Sequence, residues 1–113
     1  MERKTKGILG EEIARSFYEN KGFEILETNY RFKRAEIDII VLDNEDLLVF
    51  VEVKSRSRRD FGEPETFVSE LQQNRIKEAA EDYIYGINWK KDVRFDILCV
   101  DANGRVEHFE DAF

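Results

Sequence analysis

One cysteine, one histidine and one proline are all that 113 residues hold of those types, and each scarcity closes off a class of chemistry. Cys99 alone cannot make an internal disulfide, and it leaves no room for a cysteine-based zinc site. His108 alone excludes a histidine-rich metal centre. No repeat, no low-complexity stretch and no Pro/Gly/Ser-rich linker interrupts the chain, so residues 1–113 read as a single domain. No run is long and apolar enough to cross a bilayer, and no charged-then-apolar leader is present, which leads us to expect a cytoplasmic protein with no membrane contact. Net positive charge is missing too. The formal charge is −7, whereas most nucleic-acid binders carry a basic excess because neutralised phosphates supply most of their affinity. Any such binding must rest on local charge.

Local charge exists. Arg31, Lys33 and Arg34 form one basic cluster, and Lys54, Arg56, Arg58 and Arg59 form another with no acid between them. The acids gather at Asp43, Glu45 and Asp46 and again at Glu78, Glu81 and Asp82. Taken alone, each basic run reads as a solvated loop. An apolar content of 42% is enough for one core, and a domain of this length buries about two-thirds of its unfolded surface.

Leu9, Ile13, Ala14 and Phe17 recur at helical spacing and predict a helix over roughly residues 6 to 21, stopped by Gly22. Phe23 to Tyr30 and Ala35 to Leu42 read as strands, with Asp43 to Asp46 as a turn. Leu47 to Ser55, dense in Val, Leu and Phe, reads as a central strand. A polar loop containing Gly62 and Pro64 follows. A second helix is expected from about Ser69 to Tyr85, with Leu71, Arg75, Ile76, Ala79, Ala80, Tyr83 and Ile84 on its inner face and Gly86 ending it. Val93 to Val100 and Arg105 to Glu110 complete the strands, joined by a turn at Asp101 to Gly104. The order is α-β-β-β-α-β-β. The crossover between the third and fourth strands is long enough to be parallel and right-handed, so the sheet is mixed. The fold class is α/β of the α+β kind, a mixed sheet flanked by helices.

Alternation in Glu36-Ile37-Asp38-Ile39-Ile40-Val41 puts Ile37, Ile39 and Val41 on one face and Glu36 and Asp38 on the other. In Val49-Phe50-Val51-Glu52-Val53-Lys54, Glu52 and Lys54 share a face. A Glu-x-Lys tripeptide is by itself an ordinary surface pair. Helices over both faces change its meaning, because these charges then lose solvent. Two carboxylates about 4 Å apart at an effective dielectric near 20 repel by about 4 kcal/mol. Glu36, Asp38 and Glu52 together therefore need cations: Lys54 is one, and a hard, oxygen-preferring ion such as Mg²⁺ or Mn²⁺ is the other. A metal beside a lysine is equipment for phosphodiester hydrolysis. Sharing one ion requires register. Pairing Asp38 with Glu52 also pairs 36 with 54 and 43 with 47, and leaves a loop of Asn44, Glu45 and Asp46. A loop one residue longer would send the carboxylates to opposite faces.

The chain resembles the YraN-like family of small bacterial proteins, within the PD-(D/E)xK nuclease superfamily and related to archaeal Holliday junction resolvases. The resemblance runs through Gly7-x-x-Gly10-Glu11-x-x-Ala14, Glu36-Ile37-Asp38-Ile39-Ile40, and Val49-Phe50-Val51-Glu52-Val53-Lys54-x-Arg56. It continues at Arg75 with Ala79 and Ala80, at Arg94-Phe95-Asp96, and at His108-Phe109-x-x-Ala112-Phe113. It implies a restriction-endonuclease-like core in which Asp38, Glu52 and the main-chain carbonyl of Val53 ligate the metal. It further implies that Lys54 is the catalytic lysine and that Glu11 reaches the site from the first helix. Two positions depart from the family pattern: Ala35 stands where Gly is usual, and Gln72 where a lysine is usual. A neutral amide still donates to a phosphate, but one positive charge is gone.

The leading expectation is a metal-dependent DNA endonuclease-like protein acting on branched or otherwise non-standard duplex. Asp38, Glu52 and Lys54 form its site, supported by Glu36 and Glu11. Arg56, Arg58 and Arg59 would lie on the phosphate backbone, with Lys33, Arg34, Gln72 and Arg75 as further contacts. Junction-cutting relatives act as dimers because their substrate has two-fold symmetry, which makes a homodimer an expectation here. The rivals are a nucleic-acid-binding module with a vestigial site and a protein-interaction domain with acidic patches. His108 reads as a packing or hydrogen-bonding residue, Arg94 and Asp96 as a structural ion pair, and Cys99 as a small buried hydrophobe.

Overall fold

Two apolar periodicities, near 3.6 on the helices and 2 on the strands, are laid down along the chain, and the fold follows both. The computed structural model describes residues 2–56 and 68–113, with side chains for residues 10–55 and 68–113. Its elements are α1 (Glu2–Asn20), β1 (Glu24–Phe32), β2 (Ala35–Asp43), β3 (Leu47–Arg56), α2 (Glu70–Ile87), β4 (Asp92–Asp101) and β5 (Val106–Phe109). This is the expected order, and the sheet runs β1-β2-β3-β4-β5. Only β3 and β4 are parallel, and α2 is the crossover that a parallel step requires. The basic residues Arg58 and Arg59 and the side chain of Arg56 lie outside the described residues.

Gly22 ends α1 as expected. Its φ of 91° lets Phe23 N–H reach Tyr18 O at 3.0 Å while its own N–H reaches Glu19 O at 3.0 Å, the paired bonds of a Schellman cap. The end of α2 differs from expectation. The helix passes through Gly86, and Asn88 takes the left-handed position with φ 56°, its N–H bonding Ile84 O and Tyr85 O. Asn tolerates that conformation better than most side-chain-bearing residues, so Gly86 is not needed as the stop. Between β2 and β3 the loop is Asn44, Glu45 and Asp46, with Asp43 opposite Leu47.

The sheet has a core on each face. Under α2, Ala35, Ile37, Ile40, Leu48 and Phe50 pack against Ile76, Ala79, Ala80 and Tyr83. Phe50 is fully buried and stacks on Phe95 with centroids 5.4 Å apart. Under α1, Ile39, Val41, Val49, Val51 and Leu98 pack against Ala14 and Tyr18. These lists correct two expectations. Ile37 does not share a face with Ile39 and Val41, because the alternation of β2 breaks at Asp38. Leu71 does not face the core either. It is 60% exposed and lines the cleft that also holds Glu36, Asp38 and Glu52.

A polar knot ties α1 to the far edge of the sheet. Asp96, fully buried, takes both arms of the Arg94 guanidinium at 2.8 and 2.9 Å. Tyr18 donates to its Oδ2 at 2.9 Å, His108 Nε2 lies 2.7 Å from the same oxygen, and Asp111 N–H reaches Oδ1 at 3.1 Å. Burial opposes charge on Asp96, but the bonds from His108 and Arg94 outweigh it and hold the carboxyl down to about 2. Arg94, Asp96 and His108 thus have the structural roles expected of them.

Candidate metal centre

The centre begins with the break in β2. The β1–β2 ladder pairs Thr28 with Ile39 and Tyr30 with Ile37, and between those pairs stand Asn29, with φ 53°, and Asp38. The β2–β3 ladder closes at Ile39 opposite Val51, so Asp38 and Glu52 are the next position along. There the Asp38 side chain replaces backbone as the acceptor: Val53 N–H donates to Asp38 Oδ2 at 2.7 Å. A short carboxylate satisfies the strand amide that the break would otherwise orphan, so Asp38 can leave the pleat at little cost. The pair Glu36–Lys54 lies beyond the ladder.

Glu52 keeps the alternation of β3 and turns toward α2. It is 8% exposed, accepts from Gln72 Nε2 at 3.0 Å and is hydrogen-bonded to Asp38. Burial, then the bond to Asp38, then the Asp38 charge push the Glu52 carboxyl up to about 9, against the opposing pull of Lys54 and Gln72. In the metal-free protein the Glu52 carboxyl is therefore protonated at neutral pH. Lys54 follows two residues on, half-buried.

Two more acids close the open side. Carboxylate oxygens of Glu11, Glu36 and Asp38 lie within 4.8 Å of one another. Glu11 comes from α1, and its pKa is raised by burial and by the charges of Asp38 and Glu36, with Asn29 opposing. The Asn29 amide, oriented with its nitrogen toward the acids, donates to Glu11 and Glu36 at 3.1 Å each. Arg31 pairs with Glu36 at 3.0 Å. Asn29 is a site residue that reading the sequence missed. The available signal was an asparagine between Thr28 and Tyr30 in a strand, where asparagine is disfavoured unless the backbone turns left-handed.

An open cleft of about 420 Å³ lies in front of these acids, lined in part by Glu36, Asp38, Glu52 and Gln72 and rimmed by Arg34, Leu71 and Arg75. Arg34 and Arg75 also line an adjoining hollow of about 220 Å³ that includes Lys33. Lys33 is paired with Glu78 at 3.2 Å. Gln72 has its amide on Glu52, and its own N–H is held by the helix cap Ser69 at 3.1 Å. The structure thus brings Glu11, Glu36, Asp38, Glu52, Gln72, Arg34 and Arg75 to one place, with Lys54 beside Glu52.

The donor set can be tested for fit to a metal on chemistry alone. All four acids offer hard oxygen ligands, Asp38 is common to both carboxylate groupings, and the buried Glu52 carboxyl holds a proton where a cation would be favoured. That suits Mg²⁺ or Mn²⁺ and does not suit a soft metal. Among the described residues, no helix is long and apolar enough to cross a membrane.

Comparison with known proteins assigns the family. The model of the uncharacterised protein family UPF0102 matches residues 10–100, which span the acids of the centre from Glu11 to Glu52. A UPF0102 protein of Flavobacterium psychrophilum is 42% identical over 99% of this chain and 96% of its own. One from Cytophaga hutchinsonii is 40% identical over 98% and 97%, and one from Dictyoglomus turgidum is 45% identical over 88% and 85%. With four-fifths of its length matched and relatives of this similarity along nearly all of it, the chain belongs to the UPF0102 family.

Proposed function

We propose that this protein is a metal-dependent DNA endonuclease of the PD-(D/E)xK kind, hydrolysing phosphodiesters in branched or otherwise non-standard duplex. The observation that carries the reading is the buried Glu52 carboxyl bonded to Asp38, with Glu11 and Glu36 on the open side and Lys54 adjacent. A fold gains nothing from assembling these acids, since their repulsion and desolvation both act against it. Asp38, Glu52, Glu36 and the main-chain carbonyl of Val53 would hold the ion. Mg²⁺ or Mn²⁺ bound there would supply Lewis acidity and neutralise phosphate charge. Lys54 stabilises charge that develops on the phosphate, and Glu11 orients water from the first helix. Arg34 and Arg75 at the rim pair with the phosphates on either side, with Arg56, Arg58 and Arg59 extending that track. A homodimer would present two such clefts to a two-fold symmetric junction.

The test screens four-way junctions, flaps, nicked duplex and single strands with Mg²⁺ or Mn²⁺, with Glu52→Ala run in parallel. Metal-dependent cutting by the wild type alone supports the reading. No cutting above the Glu52→Ala background refutes it. Salt-sensitive DNA binding without cutting would then identify a binding module, and absence of that salt dependence would point to a protein-interaction domain.

A further inference from the structure

Four large apolar side chains are exposed among the described residues: Leu71, Tyr85, Ile87 and Val93. Three of them sit at the C-terminal end of α2 and the start of β4, and single exposed residues of that kind are ordinary. Leu71 differs in its position. It shares the cleft of Glu36, Asp38 and Glu52, a place otherwise lined mainly by charge and hydrogen-bonding groups. The side chain is 60% exposed, so the core does not require it.

Its placement is also rigid. Ser69 caps α2 with φ −63° and ψ 157° and accepts from Gln72 N, which fixes the first turn of the helix. Gln72, the next residue, is bonded to Glu52 at 3.0 Å. Leu71 therefore stands at a fixed offset from the acids, with Arg34 and Arg75 on the same rim to take phosphates.

An apolar side chain held at a set distance from a cluster that would cut the backbone is placed to wedge between base steps, as leucine does in proteins that kink DNA. A stacked, continuous duplex resists this entry. A branch point, nick or mismatch has already lost part of that stacking and admits the leucine. We propose that Leu71 is the specificity-determining wedge of this cleft, inserted at an opened base step. The inference rests on the DNA reading above and adds the residue that would make the choice.

The experiment measures binding to a four-way junction and to continuous duplex of the same sequence, in Ca²⁺ to limit cleavage, with 2-aminopurine beside the branch. Wild type should prefer the junction and brighten the 2-aminopurine on binding. Leu71→Ala should lose about tenfold of junction affinity, equivalent to about 1.4 kcal/mol, with duplex affinity unchanged and the brightening lost. Leu71→Met, close in volume, should restore both. The Mn²⁺-induced rise in Tm should be the same in all three proteins, which shows that the acids are undisturbed. An unchanged junction-to-duplex ratio in Leu71→Ala, or equal loss on both DNAs, overturns the wedge and leaves the nuclease reading standing. Wild type that binds DNA without preferring the junction does the same. Wild type that binds neither DNA removes both.

Discussion

Replacing Glu52 by Gln is the substitution that most sharply separates a metal ligand from a structural acid. In the metal-free protein, Glu52 accepts from Gln72 Nε2 at 3.0 Å and is bonded to Asp38. With its pKa raised to about 9 by burial and by Asp38, it carries a proton at neutral pH, and an amide can make the same two bonds. Glu52→Gln should therefore be as stable as wild type, or more so, near pH 7. The sign of the pH dependence follows from the raised value. The folded protein binds a proton that the unfolded chain releases near its ordinary 4.5, so wild type loses stability as pH rises from there toward 9. The limiting slope for one proton is about 1.4 kcal/mol per pH unit. Melting both proteins in EDTA from pH 5 to pH 9 should show Glu52→Gln pulling ahead on the alkaline side.

Mn²⁺ should then reverse the order. At about tenfold over Kd, mass action stabilises wild type by about 1.4 kcal/mol, a rise in Tm on the order of 5 °C for a domain of this size. The variant has one ligand fewer and should rise little. Because the ion must displace the proton on Glu52, wild-type affinity should climb with pH, toward about one proton released per ion. Calcium should stabilise wild type too while supporting little cutting, since occupancy and chemistry are separable. A gap between the two proteins that ignores pH, together with an Mn²⁺ response equal in both, would make Glu52 a structural partner of Lys54 and refute the reasoning.

Three further outcomes are expected. Asp96→Asn removes the buried partner of the half-buried Arg94 and should cost about 3 kcal/mol in thermal or denaturant melts. Since Asp96 is held down to about 2, wild type should lose this stability only as pH falls from the ordinary carboxylate range toward 2, a loss absent from the variant. Asn29→Asp replaces the donor to Glu11 and Glu36 with a further negative charge beside Glu11, Glu36 and Asp38, so it should lower Tm without metal and show a larger Mn²⁺-induced rise than wild type; equal rises would remove Asn29 from the site. Arg34→Ala with Arg75→Ala should weaken DNA binding equally across sequences and lower the salt slope by about two, and an unchanged slope would move the backbone track to Arg58 and Arg59.

Much of this was legible along the chain because it is local. The two helices, the five strands and the turn of Asn44, Glu45 and Asp46 follow from periodicity and turn chemistry, which act over a few residues. That loop in turn set the β2–β3 register, and with it the approach of Asp38 to Glu52. The pairing of Arg94 with Asp96 could be read from their spacing on one strand face. What the chain could not show is where alternation fails. Regular pleating puts Ile37 with Ile39, and only the tertiary structure reveals that Asp38 leaves the pleat to take Val53 N–H, so that Ile37 packs under α2 and Ile39 under α1. Asn29 faces Glu11 and Glu36 across 18 residues in one direction and 7 in the other, a meeting that no local pattern encodes. Leu71 fits the apolar stripe of α2 by spacing, yet the stripe meets the core only from Ile76 onward and Leu71 stays exposed. Periodicity fixes which side of an element is apolar. Where the element begins and ends relative to its neighbours decides whether that side meets hydrocarbon, a carboxylate cluster or water.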